Sequence, residues 1–88
     1  MKIHPDFTIQ KVASSWVAVP VGETSKHFHA MLQLNETGAF LWNLMAKKDV
    51  SEAELVDALL AEYDVPREIA ERDVAAIVRS LADSGVFA

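Results

Sequence analysis

The stretch Phe28-His29-Ala30-Met31-Leu32-Gln33-Leu34-Asn35-Glu36-Thr37-Gly38-Ala39-Phe40-Leu41-Trp42 is where this chain changes its period. From Phe28 to Leu34 the residues alternate. Phe28, Ala30, Leu32 and Leu34 fall on one face and His29, Met31 and Gln33 on the other, as in a strand with one buried side. After Leu34 the apolar positions Phe40, Leu41, Leu44 and Met45 recur at the three- and four-residue spacing of a helix. Asn35, between the two patterns, is a good N-cap, and Glu36 suits the positive end of a helix dipole. Trp42 lies off the stripe by angle and is expected to be half-buried. Lys47 and Lys48 suit the helix's C-terminal end. A strand therefore runs directly into a helix.

Upstream the pattern is also that of strands. Phe7, Ile9 and Val12 form a short run broken by Ser14-Ser15. Trp16-Val17-Ala18-Val19-Pro20-Val21 is rich in the aromatic and β-branched residues that strands favour. Pro20 has no amide proton and belongs near that strand's end. Gly22-Glu23-Thr24-Ser25-Lys26 reads as a loop. Three strands with short connections imply an antiparallel meander.

Downstream, Ser51-Glu52-Ala53-Glu54 is a capping box, with Val50 and Leu55 placed as a hydrophobic staple. Leu55, Val56, Leu59, Leu60 and Tyr63 make the stripe of a second helix, which Asp64-Val65-Pro66 ends. A third helix is predicted from about Pro66 to Asp83, with Gly85 near its C-cap. Ala70, Val74, Ile77, Val78 and Leu81 cluster on one side of it, and Val86 and Phe87 can fold back over apolar surface. The expectation is one domain over residues 1–88, of α+β class and winged-helix-like. It comprises an N-terminal three-stranded antiparallel sheet (strands within about 7–34) and three helices (within about 35–83).

The composition narrows the function. Eighty-eight residues make one small domain, with little room for a deep catalytic cavity beside a core. There is no cysteine, which removes disulfides, thiolate zinc sites, iron–sulfur clusters and a cysteine nucleophile. No apolar stretch approaches the ~20 residues of a membrane span. The first fifteen residues lack a signal peptide's pattern, so a cytoplasmic protein is expected. The net charge is −5 and uneven. Residues 1–34 hold three Lys/Arg against two Asp/Glu, and residues 35–88 hold five against eleven. An acidic C-terminal half argues against nucleic-acid binding, whose affinity rests on basic groups displacing counterions. In a winged-helix DNA-binding regulator the third helix would enter the major groove. Here Arg67, Arg72 and Arg79 are interspersed with Glu68, Glu71, Asp73 and Asp83, a poor match to a phosphate backbone.

Catalytic and metal-binding patterns are weak. His27 and His29 share a strand face, but a third metal ligand would have to come from His4 or a carboxylate. Read more simply, they are surface residues at a loop-to-strand junction. The acidic pairs Glu52/Glu54 and Glu68/Glu71 fit solvated helix faces. Ser14, Ser15 and Ser25 fit turns, and no glycine-rich phosphate loop exists. No enzymatic activity, metal or cofactor is expected.

The segment Leu32-Gln33-Leu34-Asn35-Glu36-Thr37-Gly38-Ala39-Phe40-Leu41-Trp42 resembles the L-x-L-N-E-T-G-x-x-L/I-W signature of PqqD-like proteins. Glu54-Leu55-Val56 with Leu59-Leu60-Ala61-Glu62-Tyr63-Asp64-Val65 is similar to that family's second helix. Asp73-Val74 and Leu81-Ala82-Asp83-Ser84-Gly85-Val86 resemble its closing helix. The resemblance implies a recognition element for ribosomally made, modified peptides. Such a peptide-binding chaperone of natural-product biosynthesis binds the leader of a precursor peptide and delivers it to a modifying enzyme. That enzyme would be a radical S-adenosylmethionine protein or, in the lasso-peptide version, a leader peptidase. The leader would dock as an added strand beside the third strand, in the groove made with the third helix.

The residues agree with this independently. In a three-stranded meander the third strand is an edge, and no proline, lysine or glycine bulge blunts it between His29 and Leu34. A peptide could satisfy that edge by β-addition; alternatively a second copy could pair there, making the chain a structural dimerisation module. The expected peptide-binding residues are His29, Met31, Leu32 and Gln33 on the strand and Ala75, Val78, Arg79 and Ala82 on the third helix. Ala75 and Ala82 would form a floor, and Arg79 would meet an acidic leader residue at the rim. The alternative is the helix's opposite flank, Asp73, Ala76 and Ser80.

Overall fold

The computed structural model describes residues 1–22 and 32–88. Strands β1 (Phe7–Val12), β2 (Ser15–Pro20) and β3 (Leu32–Leu34) precede helices α1 (Glu36–Lys47), α2 (Glu52–Glu62) and α3 (Arg67–Ser84). The sheet is antiparallel in the order β1-β2-β3, so β3 is an edge strand. This is the α+β arrangement expected from the period change. Residues 28–31 of the expected third strand lie outside the described residues.

The first hairpin turns through Ala13 and Ser14, since Val12 already pairs with Ser15. Ala13 takes a left-handed backbone (φ 57°), which tight hairpins of this length require and which an alanine adopts at a cost. Pro20 closes β2 opposite Phe7, where a missing donor costs the ladder least. The pleat sends Phe7, Ala18 and Leu34 into the core, while Gln33 stays exposed.

At the corner between β3 and α1, the Asn35 Oδ1 accepts a hydrogen bond from the Gly38 N–H at 2.8 Å. A Cβ on Gly38 would lie 3.3 Å from both that oxygen and Leu34 Cδ2. Glycine here lets the last strand residue lean over the first helical turn. Helix α1 lies centrally, and Gly38, Ala39, Leu41, Trp42 and Met45 are all buried. Trp42 is only 2% exposed rather than half-buried. A helix in contact with both the sheet and α2 buries a wider face than a single amphipathic stripe.

The capping box of α2 forms as expected. Ser51 Oγ accepts from the Glu54 N–H, and a Glu54 carboxylate oxygen accepts from the Ser51 N–H, both at 3.1 Å. Val50 and Leu55 are both buried beside it. Helix α3 ends at Gly85 in the left-handed region (φ 75°), with Val86 fully buried beyond it. Ala70, Val74 and Leu81 face the core, and Ile77 and Val78 are half-buried at its edges.

The N-terminal segment completes the core in a way that no pattern in residues 1–6 suggests. Ile3 is buried and bridges to Phe87, its N–H donating to the Met45 carbonyl at 3.0 Å. His4 N–H donates to the Val86 carbonyl at 2.8 Å. The Met1 amine donates to the Asp49 carboxylate and to the Val50 carbonyl, and that amine holds the Asp49 carboxyl below its ordinary range.

Candidate functional site

Two cavities open side by side between the edge strand, the start of α1 and one flank of α3. The first, of about 190 Å³, is lined by Gln33, Leu34, Asn35 and Gly38 on one wall and by Ala76, Ile77 and Ser80 on the other. The second, of about 220 Å³, lies between Asn35 and Thr37 on one wall and Asp73, Ala76 and Ile77 on the other. They share Asn35, Ala76 and Ile77, so they form one groove. As its strand wall advances from Gln33 to Thr37, its helix wall runs back from Ser80 to Asp73. The strand-to-helix corner and α3 are therefore its two antiparallel sides.

Each wall follows from local sequence. Leu34 points into the core and Gln33 outward because the pleat alternates. The Gln33 side chain is braced across the sheet by donating from Nε2 to Ser15 Oγ at 3.0 Å. Asn35 spends its side-chain oxygen on the α1 cap, fixing the corner. On α3, Ile77 belongs to the core stripe but stays half-exposed at its groove edge, with Ala76 beside it. Among the described residues β3 pairs with β2 alone, and its other edge carries no strand.

Of the expected residues, Gln33 lines this groove, and Leu32 is half-buried in the same strand, opposite Ala18. His29 and Met31 lie outside the described residues. Ala75, Arg79 and Ala82 are exposed, and Val78 packs against the core; none of the four lines either cavity. The helix wall is instead the alternative flank, Asp73, Ala76 and Ser80, with Ile77. The groove also takes in Leu34, Asn35, Thr37, Gly38 and Ile77, outside the expected set; for the first four, the signal in the sequence is their place in the Leu-Asn-Glu-Thr-Gly corner.

Other candidates find structural roles. His4 Nδ1 accepts from the Asp6 N–H at 3.0 Å, within a local turn. His27 lies outside the described residues, and no group of three His, Asp or Glu among the described ones could hold a metal. Arg67, at the start of α3, sits 3.4 Å from Asp57 and 3.8 Å from Glu71, so acids already attend it. No helix among the described residues is long and apolar enough to cross a membrane.

Residues 16–86 match the family described as coenzyme PQQ synthesis protein D (PqqD). The chain belongs to the PqqD family. No curated protein sequence matches it significantly. Two solved structures are similar to this PqqD-family chain over nearly its whole length. One is TbiB1 in complex with the TbiA(beta) leader peptide, 28% identical with a TM-score of 0.71, covering 98% of this chain and 93% of that one. The other is lasso peptide synthetase B1 complexed with the leader peptide, 30% identical with a TM-score of 0.68, covering 96% and 92%.

Proposed function

We propose that this chain binds the leader of a ribosomally made precursor peptide and presents it to a modifying enzyme. The leader adds as a strand to the free edge of β3, and its side chains enter the groove against α3. The observation that carries the reading is the groove itself: an edge strand opens onto a partly apolar channel walled by Ala76 and Ile77. Backbone hydrogen bonds along such an edge give affinity, and pockets for alternate side chains give selectivity. The two similar structures, each in complex with a leader peptide, support the same assignment.

The role is recognition rather than chemistry. Among the described residues the groove holds no paired acid and base; its polar side chains are two amides, Gln33 and Asn35, two hydroxyls, Thr37 and Ser80, and one carboxylate, Asp73. Chemical modification falls to the partner, a radical S-adenosylmethionine enzyme or a leader peptidase, and needs no cofactor on this chain. Cytoplasmic residence is the setting such synthesis requires.

Calorimetric titration with leader peptides encoded beside the gene tests the reading, together with backbone amide shifts. Binding should move most the amides of Leu32–Leu34 and of Asp73, Ala76, Ile77 and Ser80, and should change little between low and moderate salt. A complex through phosphate contacts would weaken steeply over that range. Saturable binding that shifts only the Ala75–Arg79–Ala82 side, or no binding to any such peptide, would refute it.

A further inference from the structure

The groove is not uniform along its length, and its α1 end carries a carboxylate with no ion-pair partner among the described residues. Asp73 is half-buried and lines the second cavity with Thr37 and Ile77. It makes no ion pair or hydrogen bond with a described side chain, whereas Arg67, in the first turn of the same helix, is attended by two acids. Its own helix offers it nothing. The positions three and four residues away, where a helical ion pair would form, are Ile69, Ala70, Ala76 and Ile77. Across the groove stand the neutral side chains of Asn35 and Thr37, neither of which can form an ion pair with Asp73, and the adjacent Glu36 is another acid. A carboxylate walled by isoleucine and alanine is more weakly screened than one in open solvent, so a cation reaching it would gain more.

The spacing suits an extended ligand. Asp73 and Ile77 are separated by about 6 Å along the helix axis. Alternate side chains of an extended peptide are about 6.6 Å apart. A peptide that seats an apolar side chain on Ala76 and Ile77 thus brings the side chain two positions away to Asp73. From the groove's direction, that second residue lies past the end of β3, towards α1.

We propose that Asp73 is a specificity residue, selecting leader peptides that carry lysine or arginine two positions from the apolar residue seated on Ala76 and Ile77. This rests on the leader-binding reading and reverses the charge expected at the groove from Arg79, which lies on the other flank.

The test is selection of random displayed peptides on the full chain and on its Asp73→Asn and Asp73→Lys variants, each checked for an unchanged helical spectrum. The wild-type pool should converge on an apolar residue with Lys or Arg two positions away. Asp73→Asn should keep the apolar residue and lose the basic one, and Asp73→Lys should exchange it for Asp or Glu. Replacing the selected lysine by norleucine should weaken binding to the wild type about tenfold, and to Asp73→Asn hardly at all. An apolar motif without a basic preference, or the same preference in Asp73→Asn, overturns the assignment and leaves leader binding standing. Failure of all three folded proteins to enrich any peptide overturns both.

Discussion

Ala76→Leu separates the two flanks of α3. Ala76 is exposed and lies on the wall shared by both cavities. Leucine is nearly as good a helix former as alanine, and at an open surface it should alter stability by no more than about 0.5 kcal/mol. The isobutyl group would nevertheless project into the groove at the wall shared by its two cavities, of about 190 and 220 Å³, and take room that a peptide side chain would otherwise fill. A bound peptide would then lose burial of about one apolar side chain, ~1.5–3 kcal/mol, or about ten- to a hundredfold in Kd. The matched control is Ala75→Leu, one residue along on the face that lines neither cavity, which should leave affinity within about twofold. Calorimetry with a peptide that binds the wild-type chain, alongside thermal melts of all three proteins, measures both quantities. If Ala75→Leu weakens binding and Ala76→Leu does not, the groove has been placed on the wrong flank.

Further expectations concern the frame that holds the groove open. Asn35→Ala removes the acceptor of the Gly38 N–H and should cost about 0.5–2 kcal/mol in chemical denaturation; a change near zero would mean that α1 is not capped there. Gly85→Ala should cost about 1–2 kcal/mol through its left-handed backbone alone, because nothing lies within 4 Å of the added Cβ; an unaffected midpoint would refute the C-cap assignment. The Asp49 carboxyl is held below the ordinary carboxylate range by hydrogen bonding and attraction to the Met1 amine. A depressed folded pKa gives stability that is present above the unfolded value and lost as pH falls through the folded one. The melting difference between wild type and Asp49→Asn should therefore be present at neutral pH and vanish in acid; a difference independent of pH would exclude the ion pair.

The fold was legible where one local rule sufficed. The change from alternation to helical spacing at Leu34–Asn35, the capping box at Ser51 and the left-handed glycine at Gly85 each depend on a few neighbouring residues, and all three appear as expected. What was illegible depends on long-range assembly. Nothing in Met1–His4 announces a strand-like segment, because its partners, Met45 and Val86, lie more than forty residues away. Trp42 looks peripheral on one stripe and is buried because α1 has neighbours on two sides.

The helix wall of the groove is the instructive case. Periodicity identifies the core stripe of α3, and both sides of that stripe are then equivalent by angle: Ala75, Arg79 and Ala82 on one, Asp73, Ala76 and Ser80 on the other. Small residues do not decide between them, since both sides carry alanine and alanine is also what an exposed helix prefers. The choice is made by which side of α3 the tertiary packing turns towards the Gln33–Gly38 corner, a property that no residue encodes alone. A weaker clue was present in Ile77. A large β-branched residue at the edge of the stripe, half-exposed in the free protein, has apolar surface left over on the groove side. Val78, at the opposite edge, is likewise half-buried but faces neither cavity. Both edges thus leave apolar surface uncovered, and only one faces the corner after β3, a strand whose outer edge is unpaired among the described residues. On the proposed reading, function would arise at that meeting: the corner Leu34-Asn35-Gly38 closes the core through Leu34 and, across the cavity, faces Ala76, Ile77 and Ser80 of α3.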